Sequence, residues 1–123
     1  MTSTNKENNL GSGDLARDLL DGIADRKGFE ILMLDVRPVS ILADYFIICS
    51  GATERQLKAI VEEIMERASK SGLKPFHIEG EPASGWVILD YGSIIAHVFM
   101  PAQRDYYQLE RLWADAPLVV SMQ

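Results

Sequence analysis

His77 and Glu79 stand two residues apart in "KPFHIE", the spacing that puts two side chains on one face of a strand, where they could share a metal ion. A protein metal site needs three or four ligands, and no run of His, Cys or carboxylates supplies the others. A polar pair at a strand edge is the better description. Asp90 and His97 suggest an acid–base couple, but the hairpin that carries them sets them several residues apart along the sheet, beyond hydrogen-bond reach. Cys49, in "YFIICSG", is the single cysteine and reads as a small buried apolar residue rather than a reactive thiol. "CSGATERQ" brings the Ser50-Gly51 turn to a helix start, where backbone N–H groups can hold an anion. Many strand-to-helix turns look the same. No phosphate loop, nucleophile elbow or paired-glycine fingerprint occurs. No catalytic residue, metal ligand or cofactor is therefore assigned.

The chain that must position these groups has 123 residues, the length of one domain with a core of its own. It carries 18 acidic and 12 basic residues, a formal net charge of −6. That balance argues against direct gripping of phosphate backbones, and so against sequence-specific nucleic-acid binding, which rests on Lys and Arg. It suits a basic protein partner, which an acidic surface would steer. One cysteine excludes an internal disulfide, and no apolar run approaches a membrane span, so a cytoplasmic setting is expected. "MTSTNKENNLGSG", residues 1–13, reads as a disordered tail.

Asp14 can cap a helix over about Leu15 to Lys27, closed by Gly28, with Leu15, Ala16, Leu19, Leu20, Ile23 and Ala24 on one side. "FEILMLDV" and "DYFIICSG" read as strands. Thr53 and Gln56 form a T-x-x-Q capping box before a helix with Leu57, Ile60, Val61, Ile64 and Ala68 at 3.6-residue spacing. "KPFHIE" is a strand start or edge because of Pro75. "WVILDYGSIIAHVF" is a hairpin, and Asp105 can cap a last helix with Tyr106, Leu109, Leu112 and Trp113 as its stripe. Residues 114–123 show no period and are read as a C-terminal tail. The order α-β-β-α-β-β-β-α specifies an α+β domain over residues 14–113, a mixed sheet of about five strands with helices mainly on one face.

The hairpin is apolar on both faces, which a solvated hairpin is not. A two-residue loop at Tyr91-Gly92 would pair Asp90 with Ser93, Ile88 with Ile95 and Trp86 with His97. Val87, Leu89, Ile94, Ala96, Val98 and Met100 then face the helices. Trp86, Ile88, Asp90, Ser93, Ile95, His97 and Phe99 look outward, with Tyr91 exposed at the turn. Aromatic anchors rimmed by polar groups are what protein interfaces enrich, although loops or the C-terminal stretch could cover the same face.

In order and spacing, "ADYFIICSG", "EGEPASGWVILDYGSIIAHVF" and "RDYYQLERLW" resemble the ribosomal silencing factor (RsfS, or Iojap) family. The resemblance implies a nucleotidyltransferase-like fold without that activity. It also implies binding to the large ribosomal subunit through ribosomal protein L-fourteen, so that joining of the small subunit is blocked and translation is repressed. The family's binding surface carries over to Trp86, Asp90, Tyr91, Ile95 and His97, within the outward face read from the hairpin. Ser93 stands where many members have an acidic residue, so that charge is missing here. The D-x-D of active nucleotidyltransferases is absent, which removes the paired metal ligands of phosphoryl transfer. A divergent nucleotide-binding enzyme using Glu79, Glu81 and Asp90 is the alternative. A homodimer hiding the same face is compatible with the first reading.

Overall fold

A computed structural model describes the backbone of residues 2–123 and the side-chain surroundings from residue 11 onward. Its elements are α1 (Thr2–Asp25), β1 (Phe29–Asp35), β2 (Tyr45–Ser50), α2 (Glu54–Lys70), β3 (His77–Glu79), a 3-10 turn (Pro82–Ser84), β4 (Trp86–Asp90), β5 (Ile94–Phe99), α3 (Pro101–Tyr107), α4 (Leu109–Leu112) and β6 (Leu118–Met122). The strands form one mixed α+β sheet in the order β3-β4-β5-β2-β1-β6. Only β2 and β5 run parallel, the crossover between them being made through α2 and the β3–β4 ribbon.

The two long helices lie together on one face because their apolar stripes have nowhere else to go. Leu15, Leu19 and Ile23 of α1 and Leu57, Ile60 and Ile64 of α2 are buried with Ile47, Cys49, Val87, Leu89, Ile94, Ala96 and Val98 of the sheet. Burial holds the Cys49 thiol up at about 12, in keeping with an inert core residue. Arg67 joins the helices by ion pairs to Asp18 (2.9 Å), Asp25 (2.7 Å) and Glu63 (2.8 Å). The capping box forms: Thr53 Oγ1 accepts from Gln56 N (3.1 Å), while Gln56 Oε1 accepts from Ala52 N (2.6 Å). The Gln56 amide also donates to Lys27 O (2.8 Å), so one side chain fastens the end of α1 to the start of α2.

Three local expectations are corrected. Asp14 lies inside α1, and Lys27, not Gly28, takes the left-handed position at its end (φ 68°). Gly28 is needed for a different reason, since a Cβ there would press on Ile23. The expected tail over residues 1–13 falls for its larger part outside the residues whose side chains are described. The last helix is two short ones, hinged at Gln108 (φ 46°), with Pro101 in the first turn of α3 and Asp105 inside it. That hinge re-aims the stripe, leaving Tyr106 and Leu112 exposed while Leu109 is buried. Finally, Leu118–Met122 is a sixth strand, paired antiparallel along the free edge of β1. Its half-buried edge position gives it no strong alternation to read.

Candidate functional site

On the sheet face opposite α1 and α2, strand pairing sets side chains in rows. One row runs His77, Asp90, Ile95, Phe46, Leu34, and the next runs Glu79, Ile88, His97, Ile48, Leu32. Trp86 and Phe99 begin a third. The hairpin register differs by two from the expected one: Asp90 pairs with Ile95, Ile88 with His97 and Trp86 with Phe99. A slip of two keeps every side chain on its face, so the set of outward residues stands while each partner changes. The cause is the turn. Tyr91 N donates to Ile94 O (2.8 Å), and Asp90 Oδ1 accepts from Gly92 N (2.8 Å), fixing a longer loop with Gly92 at φ 82°.

This face divides into a covered half and an open half. Leu109, Trp113 and Ala116 pack with Phe46, Ile48 and Phe99 over β2 and the end of β5. Arg104, 7% exposed, holds that cover in place. Its guanidinium donates to Ser50 Oγ (2.9 Å), Glu30 O (2.6 Å) and Glu110 Oε2 (3.1 Å). Toward β3 and β4 the cover stops. Trp86, Ile88, Asp90, Ser93 and Ile95 are left half-buried.

Three of the eight residues expected on or beside the outward face are buried: Phe99, which the α4 cover closes over, Tyr91 and His97. Tyr91, only 5% exposed, continues the Val87-Leu89 alternation into the helix-side core, where its hydroxyl finds no partner and burial raises its pKa. His97, 6% exposed, lies beneath the open face rather than on it. Burial lowers its pKa from 6.5 to about 4, so it is neutral at physiological pH. Trp86 spans the boundary. Its ring stacks on Phe99 (centroids 4.8 Å apart) and meets Tyr107 (4.6 Å), and its Nε1 donates to His97 Nδ1 (3.3 Å). The loop before it is built for close approach: a Cβ on Gly80 would strike the Trp86 carbonyl, and Ser84 Oγ lies 2.7 Å from Glu81 O and 3.2 Å from Trp86 O.

His77 and Glu79, expected as a separate polar pair, extend the same face at its exposed margin. The signal was there in the two-residue period around Ile78. Glu79, Glu81 and Asp90 have separate surroundings: the first on the edge strand, the second before the 3-10 turn, the third engaged in its own turn. Among the described residues, no three His, Cys, Asp or Glu side chains come together in a metal-binding group. The arrangement presents a half-buried aromatic, two aliphatic residues and a carboxylate on neighbouring strands of one sheet face. Aromatic and aliphatic groups bordered by polar ones are the composition that protein interfaces enrich.

The family model described as "Ribosomal silencing factor during starvation" matches residues 9–123. The ribosomal silencing factor RsfS of Bacillus subtilis is 43% identical over 94 residues, 76% of this chain and 80% of the relative. A mouse relative, "Mitochondrial assembly of ribosomal large subunit protein 1", is 37% identical over 87 residues, 68% of this chain and 38% of its own length. A crystal structure of a protein from Chromobacterium violaceum superposes with a TM-score of 0.79 at 30% identity, covering 83% of this chain and 85% of that one. With a family match across nearly its whole length and a relative of this identity, the chain belongs to the ribosomal silencing factor family.

Proposed function

We propose that the protein binds the large ribosomal subunit through ribosomal protein L-fourteen and sterically blocks joining of the small subunit, repressing translation in the cytoplasm. The observation that carries this reading is Trp86, half-buried and packed on two aromatic rings, beside Ile88, Asp90, Ser93 and Ile95 on the open half of the sheet. Family membership and the mouse relative, named for assembly of the ribosomal large subunit, support the choice of partner. The net charge of −6 suits a basic ribosomal protein. Tyr91 and His97 support the surface from below and do not touch the partner. The protein acts by occupancy, with no cofactor and no chemical step. A homodimer formed through this face would compete with the ribosome.

Trp86→Ala tests the anchor. Truncating an interface aromatic of this kind costs about 2 kcal/mol, some thirtyfold in affinity. The variant is expected to fold by circular dichroism and to co-sediment poorly with purified large subunits. A folded variant that sediments as wild type would refute the surface. In a light-scattering assay of subunit joining, wild-type protein should inhibit in proportion to the large subunits occupied, and free L-fourteen should relieve it. Many subunits inactivated per molecule would point instead to an enzyme.

Asp90→Asn isolates charge, because an amide oxygen can still accept from Gly92 and hold the turn. Its association rate with large subunits should be lower at low salt and vary less with ionic strength than wild type. Stopped-flow rates indifferent to both salt and substitution would remove electrostatic steering.

A further inference from the structure

The indole N–H of Trp86 donates to His97 Nδ1 at 3.3 Å. An imidazole nitrogen that accepts carries no proton, so the proton of the neutral ring sits on Nε2. His97 Nε2 is buried and meets no partner. A buried donor left unpaired destabilises the fold; an apolar side chain here would remove that donor, but it would also take the acceptor from the half-buried Trp86 N–H. The histidine is also out of reach of any partner, with 6% of its surface exposed. Its ring is held by Phe46 on one side (centroids 5.3 Å apart) and Phe99 on the other (6.4 Å), and it pairs across the strands with Ile88 and Ile48. It cannot turn away from the indole without disturbing the cover of the sheet. The bond to Trp86 is what an imidazole adds here over an apolar side chain.

We propose that His97 is a positioning residue, whose Nδ1 fixes the Trp86 indole in the orientation a partner meets. This rests on the reading of Trp86 as the partner anchor. Phe99 and Tyr107 confine the ring by packing, while the bond to Nδ1 selects which edge of it points into the protein; ordering that edge on docking would weaken binding. The bond has a second consequence. Because the indole N–H is already satisfied inside the protein, the partner need offer it no acceptor. The seat for Trp86 is therefore apolar, made of aliphatic side chains or the stems of long basic ones.

The test uses the full chain labelled with nitrogen-15, purified large ribosomal subunits, and the variants His97→Leu, His97→Asn and Trp86→Ala. In wild type at neutral pH, long-range nitrogen–proton spectra should show His97 protonated at Nε2. In His97→Leu the fold should persist, while the Trp86 indole proton exchanges faster with solvent and affinity for large subunits falls about tenfold. His97→Asn places an amide oxygen near the position of Nδ1 and should restore affinity to within about threefold of wild type. A residue that served packing alone would show no such rescue. Should Trp86→Ala bind as wild type, the interface reading fails. Weak binding by Trp86→Ala with wild-type binding by His97→Leu refutes the positioning role alone. So does equal loss in the Leu and Asn variants, or a wild-type His97 protonated at Nδ1, a result that stands whether or not His97→Leu folds.

Discussion

Arg104→Ala is expected to destabilise the protein by about 3 kcal/mol or more, the scale set by losing a buried, fully engaged charged group. The guanidinium joins elements that no other described side chain joins in this way: the β1 backbone at Glu30, the end of β2 at Ser50 and the start of α4 at Glu110. Glu30 itself sits at φ 48°, where the β1–β2 register shifts, so the carbonyl that Arg104 holds belongs to a bulge rather than a regular ladder. Alanine would leave the buried Ser50 hydroxyl without this donor and Glu110 without its cation. It would also loosen the α3–α4 cover from Phe46, Ile48 and Phe99. Urea unfolding followed by circular dichroism measures the loss, and fluorescence of Trp113 should shift to the red as its cover opens. Glu110→Gln should cost much less, because its side chain is one-third exposed and a neutral acceptor remains. A loss below about 1 kcal/mol in Arg104→Ala would mean that apolar packing alone seats these helices.

Arg104 also marks where the sequence ceased to be legible. In "RDYYQLERLW" the apolar spacing suggested one continuous helix, and a buried arginine has no periodic signature. The break depends on Gln108 adopting a left-handed conformation, which tertiary contacts select and residue type does not announce. The α2 helix was readable to its cap because Thr53, Gln56 and the stripe from Leu57 to Ala68 all specify the same structure. The two faces of the hairpin were readable because a period of two survives a register error of two, whereas the error itself came from assigning the shortest loop to Tyr91-Gly92. How far each outward residue is covered was not readable. Phe99 and His97 share the face of Ile88 and Ile95, and only the landing point of α4 separates buried from open.

The stability of the protein should fall between pH 6.5 and pH 4 by about 3 kcal/mol through His97 alone. Burial lowers the folded-state pKa of this histidine to about 4, while the unfolded chain titrates near 6.5. Between those values the unfolded chain binds a proton that the folded chain refuses. Stability is therefore full above pH 6.5 and declines as pH falls toward 4, where the folded ring also protonates. Asp35 and Glu63, whose carboxyls are held low by hydrogen bonds from Arg37 and from Arg67 and Arg26, act in the same direction but only in more acid solution. The interval from pH 6.5 to 5 is therefore where the His97 imidazole acts. Urea midpoints measured across this interval should slope for wild type and run nearly flat for His97→Leu. The variant should gain on wild type as pH falls toward 5, because leucine takes up no proton in the unfolded chain and removes the buried Nε2 donor, leaving the half-buried Trp86 N–H to find solvent. A wild-type protein with no slope, or a His97→Leu protein with the same slope, would show that His97 takes up its proton as readily in the folded state as in the unfolded one. The indole of Trp86 would then be facing an imidazolium, which has no lone pair to accept its hydrogen.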